Sequence, residues 1–336
     1  MKRSVALLFA LACVLAGRPA RADADWFASL YSREGVELRA DERTFALYAL
    51  LNAMGYDEAP LVRQLPVPAR DMHPVRLKVR SALRMDPVEE ERLNRFFDAH
   101  AKPAEAYGRY VLSLGGPTGF ERTGASTEGM RGFEALLAEG YSKLKAGALF
   151  AAAQDEYRAA LKGYLGVVDA PVAAVRRLLK MREDEPPRVV LVVNLLDGLG
   201  KSYSSRSGEE ELWVVVGPSK TPDLFAVAHE LARSRMEPLV AAKVRDRDSA
   251  ELAADLLGRA FASAALALPD AELEARARRD GFPALKEWTH RAEGFAKGPS
   301  TLDAFVAQAA PAVLKEPGKD GPGSSGPAAS MKPGKR

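Results

Sequence analysis

Leu212–Val240 reads LWVVVGPSKTPDLFAVAHELARSRMEPLV, an apolar run, a Gly-Pro step and a helical pattern in succession. Leu212 to Val216 is a short apolar, β-branched run that predicts a strand. Gly217-Pro218 predicts a turn, and an amphipathic helix then spans 222–236. Thr221 suits the N-cap, Pro222 the first helical position, and Asp223 the positive end of the helix dipole. The helix carries His229-Glu230, with Arg233 one turn beyond the histidine. Leu224, Ala228, Leu231, Ala232 and Met236 can bury one face of it.

A second strand is predicted at Arg188 to Leu196, RVVLVVNLL, whose nearly continuous apolar character fits burial on both faces. Gly200-Lys201-Ser202 follows. It looks like the end of a phosphate-binding loop, but that motif needs a glycine five residues earlier and the chain has Leu195. Turn chemistry between strands is the reading of this segment. Downstream, helices are predicted at 249–266, 271–279 and 302–314, the first bearing Glu251 and Asp255.

Upstream the pattern is helical. Asp41 opens DERTFALYALLNAMGY, with Phe45, Leu47, Tyr48, Leu51 and Met54 on one stripe and Gly55 as the stop. Pro60, Pro66 and Pro68 predict a loop or extended connection. His73-Pro74 leads into VRLKVRSALRM, which fits a strand or a helix. Further helices are predicted from Pro87 through Ala99, at 104–114, 128–144 and 148–164, and from Pro171 to Met181.

The 336 residues are 47% hydrophobic and 28% charged, in the range of globular domains. Lys2-Arg3, the apolar run Val5 to Ala16 and Ala20-Arg21-Ala22 form the three parts of a secretory signal, with Ala22-Asp23-Ala24 as the alternative cleavage site. The expectation is a Sec-type signal over 1–24 and an exported protein, periplasmic or extracellular. Cys13, the single cysteine, lies inside this segment, so disulfides and thiol nucleophiles are excluded from the mature chain. Cleavage after Ala22 removes Lys2, Arg3, Arg18 and Arg21 and turns the formal charge from +3 to −1, and no globular basic patch argues for nucleic acid. No later run is apolar for long enough to cross a bilayer. From Lys315 onward the Gly/Pro/Ser/Lys-rich sequence has little to bury and predicts a disordered tail over 315–336.

A His-Glu pair acquires meaning from its surroundings. In zincin metallopeptidases, HExxH places two histidines on one helical face to bind Zn²⁺, with the intervening glutamate as general base. A later helix supplies a third ligand, and an exposed edge strand, a part that Leu212–Val216 would take here, pairs with peptide substrate. ELWVVVGPS followed by HELARSRMEPLV resembles a group of secreted bacterial domains of unknown function with a gluzincin-like metallopeptidase pattern. In that pattern a strand ends in Gly-Pro, HExxH is followed by a short gap and a proline, and a later helix carries an acidic ligand before Arg-Ala. Pro238 matches the proline, and Asp255-Leu-Leu-Gly-Arg259-Ala260 the later segment, with Asp in place of Glu. His73-Pro74-Val75 matches a further feature.

The resemblance implies an α+β fold: a mainly helical region over 25–185 and a zincin-like core over 186–314, with a small sheet on the HExxR helix. It implies His229 and Asp255 as vestigial metal positions and Glu230 as a vestigial base. Arg233 departs from the pattern. A guanidinium stays protonated and has no lone pair for a metal. It lies within i, i+3 reach of Glu230 and can approach Asp255, so a salt bridge of Arg233 with Glu230 and Asp255 is expected in place of zinc. The expected function is a non-catalytic pseudo-metallopeptidase with no cofactor that binds a peptide or protein. The alternatives are an active metal-dependent peptidase with a reduced ligand set, zinc being its cofactor, and a structural envelope protein without a cleft function.

Overall fold

The computed structural model describes residues 29–33, 35–56, 73–122, 129–181, 188–198, 200–207 and 211–315. The expected signal peptide, the proline-rich connection around 60–68 and the tail beyond 315 lie outside the described residues. The fold is mixed α/β, with thirteen helices and one five-stranded sheet among the described residues. No described helix is long and apolar enough to cross a membrane.

The sheet runs β1-β2-β3-β5-β4 in space. β3 (Arg188–Val193) lies at its centre, parallel to β2 (Glu37–Arg39) on one side and to β5 (Glu211–Val216) on the other. Val189 to Val193 are buried without a break, as in a parallel strand whose sheet is covered on both faces. β1 (Leu30–Tyr31) adds antiparallel to β2, and β4 (Tyr203–Ser207) antiparallel to β5, with Ser205 opposite Trp213. Leu212–Val216, expected as the exposed edge, is therefore an inner strand. The edge on this side is β4, whose sequence YSSRS lacks the apolar signal by which a strand is recognised. The sheet also crosses the boundary drawn at 185, because β2 comes from the N-terminal half and pairs with β3 in register Leu38 to Leu191.

Helix α1 (Glu42–Met54) starts where Asp41 accepts the Thr44 amide at 2.8 Å and stops at Gly55, whose φ of 64° is left-handed. It was expected to bury one stripe. Thr44 to Asn52 are instead all buried, because α4 (Ala104–Leu112), α5 (Phe133–Lys143) and α6 (Ala146–Ala152) surround it. The segment after His73 is a helix, α2 (Pro74–Ala82), and α3 is Pro87–Ala99. The helix expected over 148–164 is two: α6 and α7 (Gln154–Tyr164) break at Ala153. α8 (Asp169–Leu178) closes this half.

After β5 come α9 (Leu224–Ala241), α10 (Arg247–Ala265), α11 (Asp270–Asp280), α12 (Leu285–Lys297) and α13 (Leu302–Val313). Helix α12 has no counterpart in the sequence reading. α9 lies against β4 and β5 and packs on α10, which in turn packs on α12. The two central helices approach closely at one point: a Cβ on Gly258 would stand 2.9 Å from Arg233 Cβ and 3.1 Å from its Cα. A glycine is required there by the neighbouring backbone.

Candidate functional site

Helix α9 differs from its expected form at both ends, and both differences shape the site. Its N-cap is Asp223, accepting the Ala226 amide at 3.0 Å, while the Asp223 amide donates to the Tyr164 hydroxyl at 3.0 Å. Its C-terminal part runs through Pro238 rather than stopping before it. A proline within a helix frees the carbonyl four residues earlier, here that of Ser234. The Arg206 guanidinium of β4 donates to this carbonyl at 3.2 Å, so the edge strand repairs the gap and anchors itself to the helix.

β4 grips α9 at a second place. Ser202, just before the strand, and Ser204 within it donate to the two oxygens of Glu230, each at 2.9 Å. Residues 202, 204 and 206 follow the two-residue period of a strand, so all three face α9. Glu230 is 1% exposed and His229 4% exposed. Two serines in an apparently plain turn and strand are the contributors that sequence reasoning missed. Their alternation with Tyr203 and Ser205 was the available signal, obscured because none of these residues is apolar enough to suggest a buried strand face.

The helix pair α9 and α10 brings His229 to Asp255. The imidazole Nε2 lies 2.8 Å from Asp255 Oδ1, with the oxygen out of line with the ring N–H direction, and Nδ1 lies 3.5 Å from Glu230 Oε1. The other oxygen of Asp255 accepts from Arg259 Nε at 3.0 Å, and Arg259 also donates to Asp280 at 2.7 Å. Burial raises the Asp255 carboxyl, but His229, Arg259 and Arg233 outweigh it and hold the group well below the usual carboxylate range. The Phe225 ring lies parallel to the imidazole at 6.2 Å, and the Arg276 guanidinium stands 3.8 Å over that phenyl ring.

Arg233 reaches Glu230 at 4.0 Å, the outer limit of an ion pair, and its buried Nε has no hydrogen-bond partner. Burial lowers the tendency of its guanidinium to stay charged, and Glu230, Asp255, Glu237 and Glu251 more than restore it. The expected trio of Arg233, Glu230 and Asp255 is thus distributed: Arg233 stands beside Glu230, while Asp255 takes His229 and Arg259 as its direct partners. Arg259 was read as part of a motif and not as a partner, since four-residue helical spacing to Asp255 is common on any charged helix.

Zinc sites of this kind take three protein donors and leave one position open. Here one imidazole is present, a guanidinium stands where HExxH has its second histidine, the Asp255 oxygens face His229 and Arg259, and both Glu230 oxygens are hydrogen-bonded. These donors do not fit a zinc ion. Among the described residues no group of three or more His, Cys, Asp or Glu side chains is arranged to hold a metal.

The remaining histidines do other work. His73 Nδ1 accepts the Val75 amide at 3.3 Å and caps α2, ahead of Pro74 in the first turn. Burial lowers its basicity, against a weaker opposing pull from Glu156. His100 stacks on Phe96 at the end of α3, and His290 lies 3.5 Å from Asp270. Lys201 of the Gly200-Lys201-Ser202 turn is ion-paired with Glu105 at 3.0 Å, and Gly200 is left-handed at φ 64°.

No protein-family model, no curated protein and no solved structure matches the chain.

Proposed function

We propose that the chain is an exported, non-catalytic relative of the zincin metallopeptidases that holds an extended peptide or protein segment along the free edge of β4. The observation that carries this reading is the His229–Asp255 contact of 2.8 Å, closed by Arg259 on one side with Arg233 at the position of a second zinc ligand. Fixed cations stand where a metallopeptidase keeps its metal, so the acids have their counter-charge without zinc. Three further features support a zincin-like core: the antiparallel edge strand, the His-Glu helix lying against it, and a following helix that presents an acid to the histidine.

Binding at β4 follows from strand chemistry. An edge strand carries unpaired N–H and C=O groups along its outer side, and an incoming extended chain satisfies them by adding a strand. Ser202, Ser204 and Arg206 fix β4 to α9 before any partner arrives, which lowers the ordering cost of that addition.

The test uses reduced, carboxymethylated casein as an unfolded polypeptide. Backbone amides of 203–207 are expected to gain hydrogen-exchange protection on binding, with the casein left intact. Cleavage of casein that requires added zinc and is lost in Glu230→Gln supports an active peptidase and overturns the proposal, as does the absence of protection in β4.

A further inference from the structure

Arg233 holds its charge without hydrogen bonds. Its side chain is 18% exposed, and the nearest acid, Glu230, stands 4.0 Å away, too far to accept one of its protons. Among the described residues nothing accepts from any of its three nitrogens, and the Nε is fully buried. The acids beside it are engaged elsewhere: both Glu230 oxygens take serine hydroxyls, and the Asp255 oxygens face His229 and Arg259. A guanidinium carries five N–H donors, and donors this enclosed are seldom left without an acceptor. The exposed part of the fork is open to one from outside the chain.

The register of the sheet fixes which groups of β4 lie closest. The Asn194 amide donates to the Val216 carbonyl across the parallel pair, so Val216, Val214 and Leu212 turn their backbone toward β3. Val215, Trp213 and Glu211 turn theirs toward β4, where they pair with Tyr203, Ser205 and Ser207. Ser204 and Arg206 keep N–H and C=O on the free side, and among the described residues nothing bonds to those groups.

The two features adjoin. Glu230 Oε2 accepts from Ser204 Oγ at 2.9 Å and faces Arg233 Nη1 at 4.0 Å. The Arg233 backbone packs on Gly258 of α10, so the side chain occupies the angle between that helix and β4. A strand added to the edge runs about 4.8 Å outside β4, within reach of the guanidinium.

Charge selects the acceptor. Glu230, Asp255, Glu237 and Glu251 already supply the counter-charge of Arg233. One more carboxylate would meet them at close range, whereas a peptide carbonyl brings an oxygen without charge. Resting on the reading of β4 as a peptide-binding edge, we infer that the bound segment places one uncharged main-chain carbonyl on the Arg233 guanidinium, next to its residues paired with Ser204 and Arg206.

The probe is acetyl-Thr-Val-Thr-Val-Thr-amide, compared on the full chain with the same peptide ending in a free carboxylate. At saturation the amides of Ser204 and Arg206 are expected to gain hydrogen-exchange protection, with those of Tyr203 and Ser205 unchanged. The Arg233 guanidinium resonances, assigned by their loss in Arg233→Lys, should shift and show slowed rotation. Arg233→Met should weaken peptide binding about tenfold, and the free acid should bind no more tightly than the amide. The resonances are read on the parent chain, so they decide the matter even where Arg233→Met folds poorly. Protection at Ser204 and Arg206 with unchanged guanidinium resonances overturns the inference and leaves the edge reading standing. A free acid bound about tenfold more tightly than the amide does the same. No protection at those two amides with peptide up to the order of 10 mM overturns the edge reading and the inference together.

Discussion

Replacing Arg233 with methionine keeps most of the aliphatic stem and removes the charge beside Glu230. The 4.0 Å separation gives a gross attraction of about 4 kcal/mol at an effective dielectric constant near 20. Part of that is offset, because a side chain 18% exposed gives up its own hydration to sit there. Ser202 and Ser204 remain on the carboxylate after the substitution. The expected net cost is about 1–3 kcal/mol, below the loss for a fully enclosed pair. In a Glu230→Gln background the amide still bonds both serines but carries no charge, so the same substitution should cost under about 0.5 kcal/mol. Urea unfolding at pH 7 measures all four proteins of this cycle. Raising the salt from low to roughly 0.5 M should change the coupling little, since the pair is screened mainly by protein. An Arg233→Met cost that is small, or equal in both backgrounds, shows a guanidinium solvated on its own and refutes the internal-cation argument.

Three further outcomes follow from other contacts. Gly258→Ala puts a methyl 2.9–3.1 Å from the Arg233 Cβ and Cα, which cannot move without parting α9 from α10; thermal unfolding should show a loss of about 1–3 kcal/mol. The Asp255 carboxyl is held below its ordinary range in the folded state, so its contribution is present above the unfolded value, about 3.9, and is lost as pH falls below it. Urea midpoints from pH 7 to 2 should therefore fall less steeply in Asp255→Asn than in the parent. Arg206→Ala strands the Ser234 carbonyl and should cost about 0.5–1.5 kcal/mol, a loss that shrinks in a Pro238→Ala background where the helix regains the missing N–H.

The sequence announced the buried parts of this fold more clearly than its edges. RVVLVV and LWVVV could be read as strands because a strand covered on both faces is apolar without interruption. β4 could not, because Ser202, Ser204 and Arg206 are there to hold Glu230 and Ser234, and a polar run with one buried aromatic, Tyr203, looks like a turn. The same misreading made Leu212–Val216 the edge. Helix starts were legible where a side chain caps them, as Asp41 does. For α9 the reading took Thr221 as the cap and Asp223 only as a favourable charge, whereas Asp223 is the cap and its amide is held by the Tyr164 hydroxyl from another helix. The helix was expected to end at 236, ahead of Pro238, since nothing local reveals that a strand arginine will donate to the carbonyl the proline frees.

At the site, Arg233 was informative from its chemistry alone: no guanidinium ligates a metal. The direct partner of Asp255, however, is Arg259, which the sequence placed one turn away on the same helix without indicating which neighbour Asp255 would choose. That choice depends on the crossing of α9 and α10 at Gly258, a tertiary fact. The serines on Glu230 come from a different strand and could not be assigned before the sheet order was known.

On the function proposed above, fixed cations stand in for a metal at the His229–Asp255 site. Zinc stoichiometry of the purified chain after equilibrium dialysis at micromolar free zinc, compared with His229→Ala, tests it most directly. With Arg233 and Arg259 supplying the charge, no bound zinc should depend on His229 and the thermal midpoint should not rise with zinc. Near-stoichiometric zinc in the parent, lost in His229→Ala, would contradict it.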